Sequence, residues 1–124
     1  NFENNQNKST NDHYMVWIQK KKELNTQCLQ EKNVQACNEL AETLTTMSDY
    51  VAAAQTYVVL CNRGYTIACQ KAGLAYTQAA DRTLARQFEL KGCNKGDSIS
   101  CYNVACGYCL QNNIAKLSNI LKNI

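Results

Sequence analysis

The sequence predicts an all-α protein: a disulfide-stapled α/α solenoid of about three helix-turn-helix repeats of ~32 residues, preceded by an N-terminal helix. Three observations carry that expectation. First, Cys28, Cys61 and Cys93 are each followed eight or nine residues later by Cys37, Cys69 and Cys101, and equivalent cysteines lie 33, 32, 32 and 32 residues apart. A fixed period of this size marks an array of structural units, each too small to hide its own apolar face. Second, the 124 residues contain no proline and only five glycines, so short connections are the only interruptions to helix. Third, apolar residues recur in register behind Cys37, Cys69 and Cys101. Leu40, Ala72 and Val104 come first, then Ala41, Gly73 and Ala105, then Leu44, Tyr76 and Tyr108.

Residues 1–11 are Asn, Gln, Lys, Ser and Thr with one Phe and one Glu, which predicts a flexible polar leader. The first helix is expected over 12–28, with Asp12 as N-cap and Tyr14, Trp17, Ile18 and Leu24 at helical spacing. Trp17, the only tryptophan, is expected to pack this helix on the first repeat. Residues 12–124 then form a single repeat domain, with repeats at about 33–62, 65–92 and 97–124. Asp49, Asp81 and Asn113 stand twelve residues after the reference cysteines and cap each repeat's second helix. Ala53, Ala85 and Leu117 follow in register, then Thr56, Phe88 and Ile120. The small residue at 41, 73 and 105 lets two helices approach, and the larger residue three positions later fills the space beside it. The third unit ends at Ile124, one position before another cysteine falls due, so the array is expected to stop there.

Eight cysteines in a chain of this length argue for an oxidising compartment, hence a periplasmic or secreted protein. A start at Asn1 rather than Met is compatible with a removed export signal, and a lipid tether at the N-terminus stays open. A zinc site needs CxxC pairs or Cys/His clusters, and His13 is the single histidine. Eight-residue spacing across a turn suits instead a disulfide between two helices, giving pairs 28–37, 61–69 and 93–101. Closing a loop of about nine residues stabilises by about 2–3 kcal/mol in the chain-entropy model. A net charge of +3 without a clustered basic face does not call for nucleic acid, and Lys20, Lys21 and Lys22 read as a solvated helix side. No stretch approaches 18 apolar residues, so no membrane span is expected.

Leu40, Ala41, Leu44, Ala53, Tyr57 and Leu60 resemble the large–small–large and small–aromatic–small pattern of a tetratricopeptide repeat. Gly73, Tyr76 and Ala85 repeat the match, as do Val104, Ala105 and Tyr108. With its paired cysteines, the chain is similar over residues 28–124 to the Sel-one-like repeats of the Helicobacter cysteine-rich protein family. The resemblance implies bridges tying the end of one repeat's second helix to the start of the next repeat's first. It also implies β-lactam binding or weak β-lactam hydrolysis as an alternative function. The period of 32 is shorter than that family's, and Leu44–Asp49 replaces its glycine-rich loop, which points to a divergent member.

Cys106 and Cys109, in Cys106-Gly107-Tyr108-Cys109, fall outside the repeat rule. An even cysteine count favours a fourth bridge between them; two thiols, or a bridge to a partner chain, are the other readings. A thiol redox protein using this pair is a further functional alternative. Catalysis otherwise has little support: there is one histidine, the acidic residues are scattered, and no SxxK or phosphate-binding loop occurs. No cofactor or metal is expected, and no catalytic residue is assigned.

What remains is a surface. In tetratricopeptide-like arrays the first helices line a concave face. By register that face would carry Gln35, Asn38, Glu42 and Thr45, then Ile67, Gln70, Leu74 and Thr77, then Ile99, Tyr102, Cys106 and Cys109. It runs from polar to apolar, which suits an extended peptide with a hydrophobic anchor. The function expected is therefore a non-enzymatic protein- or peptide-binding scaffold of bacterial origin.

Overall fold

A computed structural model of the chain describes the backbone of residues 2–110 and 114–122 and the side chains of 12–107 and 115–122. These residues form helices α1 (Phe2–Leu29), α2 (Val34–Thr46), α3 (Tyr50–Asn62), α4 (Thr66–Gln78), α5 (Arg82–Asn94), α6 (Ser98–Leu110) and α7 (Ile114–Leu121). There is no strand among the described residues. No helix among them is long and apolar enough to cross a membrane.

The helices from α2 onward begin at 34, 50, 66, 82, 98 and 114, a step of 16 residues. The backbone repeat is thus half the cysteine period. Each unit is one helix and a connection of the same build. Ser48, Gly64, Ala80 and Gly96 all adopt positive φ, at 63°, 102°, 62° and 99°. The next N–H then reaches back to a carbonyl five residues earlier: Asp49 to Leu44 at 2.9 Å, Tyr65 to Leu60 at 3.1 Å, Asp81 to Tyr76 at 2.9 Å and Asp97 to Gly92 at 2.9 Å. This is the Schellman closure, which needs a left-handed residue that glycine adopts without cost. At three of these turns the side chain of the residue completing the turn caps the following helix, and Tyr65 makes no such bond. Asp49 accepts from the Ala52 N–H, Asp81 from Leu84 and Asp97 from Ser100. Asn113 lies outside the described residues.

The chain divides into two compact units, Asn1–Leu40 and Ala41–Ile124. In the first unit, α1 starts at Phe2, so residues 2–11 of the expected leader are helical backbone. No proline or glycine occurs before Gly64, and extending a nucleated helix costs far less than starting one. From residue 12 to the end of α1 only Leu24 and Cys28 are buried, and Trp17 is half-buried. So polar a helix brings little apolar surface to a shared core. The Cys28–Cys37 bridge ties it to α2, with Cα atoms 4.7 Å apart. Four residues join α1 to α2, against three in each later connection as far as α6, which explains the nine-residue separation of this pair.

In the second unit each helix packs on its chain neighbours from α3 to α7, and α4 also touches α6. The interfaces are built largely of alanine: Ala53, Ala54, Ala68, Ala72, Ala75, Ala85 and Ala105 are buried with Tyr57, Leu60, Tyr76 and Val104. Tyr76 stacks on Phe88 with ring centroids 5.8 Å apart, and the Lys71 ammonium lies 5.7 Å from the Tyr57 ring centroid. Cys61–Cys69 and Cys93–Cys101 bridge the turns at Gly64 and Gly96, with Cα separations of 4.7 and 4.5 Å. The turns at Ser48 and Ala80 carry no bridge, so staples alternate along the array. A cluster of Cys93, Cys101, Val104, Ala105 and Ile120, with Leu90 and Leu117 against it, closes the far end.

Candidate functional site

Every helix here has two faces to commit, and on α4 and α6 the outward one is apolar. Ile67 and Leu74 on α4 are 62% and 59% exposed; Ile99 and Tyr102 on α6 are 59% and 64% exposed. Ile67 and Ile99 occupy equivalent positions one cysteine period apart, on helices that touch. The same holds for Leu74 and Cys106, which line one cavity. Gln70 is half-buried, and Thr77 spends its hydroxyl on the Gly73 carbonyl at 3.0 Å. On α2, Glu42 is exposed, while Thr45 is half-buried and donates to the Ala41 carbonyl at 2.9 Å. Asn38 belongs to the first unit, where it is half-buried.

The shared cavity, of about 350 Å³, lies among α4, α5 and α6. Leu74, Thr77, Ala85 and Gly107 supply its less polar walls, and Arg82, Arg86, Glu89, Asn103 and Cys106 its polar ones. Two glycines inside helices shape it. A Cβ at Gly73 would stand 2.8 Å from Glu89 Cγ, and one at Gly107 would stand 2.8 Å from Arg86 Nη2. A glycine within a helix costs about 0.5–1 kcal/mol relative to alanine. Both positions here give that space to charged side chains of α5. Glu89 is seated deeply enough that burial pushes its carboxyl above the usual range, while the Arg86 guanidinium draws it partly back.

At the cavity's edge the Tyr102 hydroxyl shares a hydrogen bond with Cys106, which with the negative charge available on that sulfur raises the hydroxyl above its ordinary value. Cys106, one half of the expected Cys106–Cys109 bridge, is a free, half-buried thiol. The Cys109 side chain lies outside the described residues. Cys106 also stands in the second half of α6, away from the helix N-terminus whose dipole would activate a thiol.

Sequence reasoning placed Leu74, Thr77 and Cys106 at this location and missed Arg82, Arg86, Glu89, Asn103 and Gly107. It looked for function on the first helix of each repeat, whereas the charged residues stand on α5, a second helix. The available signal was a pair of helix-interior glycines, Gly73 and Gly107, flanking a helix that carries Arg82, Arg86 and Glu89. Among the described residues no group of three or more His, Cys, Asp or Glu could hold a metal ion. No family model, curated protein or solved structure matches the chain.

Proposed function

We propose that this protein is a non-enzymatic binding scaffold that receives an extended protein or peptide segment on the α4/α6 face, and that it works in an oxidising compartment, periplasmic or secreted. The observation that carries this reading is the exposure of Ile67, Leu74, Ile99 and Tyr102 on two touching helices. The core does not need them there, since Ala68, Ala72, Ala75 and Val104 on the same helices are already buried. Contiguous exposed apolar surface of this kind marks interaction sites on soluble proteins. Three bridges holding alternate turns support the compartment, because reducing cytosol does not maintain such staples. Kinship with the Sel-one-like cysteine-rich proteins is part of the same proposal and rests on the cysteine spacing and the repeat pattern.

The test uses a displayed library of blocked peptides panned on the intact, oxidised chain. Peptides recovered on wild type should bind Leu74→Asp and Tyr102→Ala variants at least about tenfold more weakly, with helical circular dichroism unchanged. Equal affinity for both variants would remove the α4/α6 face as the binding surface.

A further inference from the structure

The second unit carries the whole net charge of the chain. Residues 41–124 contain eight Lys and Arg against five Asp and Glu, a balance of +3, equal to the total for all 124 residues. Three of those five acids, Asp49, Asp81 and Asp97, are spent on N-caps. That leaves Glu42 and Glu89, and Glu89 sits beside Arg86. Two guanidiniums therefore meet one carboxylate in the cavity wall, and Arg82 makes no ion pair among the described residues. The same wall supplies Asn103, which can donate a hydrogen bond, and Leu74, which belongs equally to the apolar face.

We infer that the cavity among α4, α5 and α6 receives an acidic side chain of the peptide bound on the α4/α6 face, Arg82 and Asn103 holding its carboxylate while its apolar neighbours cover Leu74 and Tyr102. The inference rests on the reading of that face as a peptide site and adds the chemistry of the occupant. Arg86 contributes by position: with its guanidinium over Gly107 it offsets Glu89, which would otherwise repel an incoming carboxylate. Leu74 and Arg82 are both exposed at the rim, so a chain passing along the face can insert a side chain without ending there. A guanidinium–carboxylate contact adds direction as well as attraction, which an apolar face alone lacks.

The same blocked library, with acetylated N-termini and amidated C-termini, offers carboxylates only as side chains. Recovered sequences should carry Asp or Glu at a fixed spacing from apolar residues. For one recovered peptide, Arg82→Gln in the protein, or Glu→Gln in the peptide, should each weaken binding about tenfold or more, and the two changes together should cost little beyond either alone. Arg82 is exposed on the first turn of α5, so its replacement spares the core. Recovered peptides without acidic residues, bound equally by wild type and Arg82→Gln yet lost with Leu74→Asp, would overturn the cavity assignment and leave the face standing. Recovery of no peptide at all would overturn both.

Discussion

Gly92 sets the spacing of α5 and α6, and replacing it with alanine tests the packing argument directly. On an exposed helix the change would stabilise by about 0.5–1 kcal/mol, because alanine is the better helix former. Here the new Cβ would stand 3.0 Å from Ser100 Cβ and 3.4 Å from Cys69 Cβ, and closer still to Ser100 Oγ. Ser100 cannot simply turn away. It is fully buried, its Oγ donates to Asp97 Oδ2 at 2.5 Å, and its N–H donates to the same oxygen at 3.0 Å as the N-cap of α6. Overpacking costs about 1–3 kcal/mol, and a displaced cap adds about 1 kcal/mol. The net expectation is a loss of about 2 kcal/mol, or a fall in Tm of about 10 °C for a unit of this size. Urea unfolding of the oxidised protein, followed by circular dichroism, measures it. Ser100→Ala removes the oxygen that the new Cβ meets, so combined with Gly92→Ala it should cost less than the two single changes added, by about 1 kcal/mol. Gly107→Ala is the control, since its Cβ would meet only the tip of Arg86, a flexible side chain that can move. A Gly92→Ala protein as stable as wild type, or strict additivity with Ser100→Ala, would refute the claim that this glycine is there for contact.

Two further expectations follow from the site and the staples. Burial raises Glu89 above the usual carboxylate range, so the folded chain holds that proton more tightly than the unfolded one. Its contribution is complete at low pH and is lost as pH rises through the raised value. Glu89→Gln, which cannot ionise, should therefore gain in Tm relative to wild type between about pH 4 and pH 8; a difference independent of pH would contradict the burial argument. Alkylation without reduction, followed by peptide mapping, should label Cys106 and leave six cysteines protected as three bridges. An unlabelled Cys106 would instead restore the fourth bridge.

The linear order of residues determined what depends on neighbours in the chain. Cysteines eight apart across a turn, Asp49 and Asp81 ahead of apolar runs, and the absence of proline are local facts, and helices with bridged turns stand where they imply. The 16-residue step was hidden because the turn residues Ser48, Gly64, Ala80 and Gly96 differ chemically while sharing one backbone conformation. The start of α1 at Phe2 was hidden by a composition that looks disordered yet contains no helix breaker. Only the tertiary structure decided the cavity. Arg86 and Glu89 read in sequence as solvated charges on a second helix, and they become walls of a site because Gly107 and Gly73, on two other helices, leave out the atoms that would displace them. Whether a charge is solvated or seated depends on the size of residues across an interface, and that is a distance, which spacing along the chain does not contain.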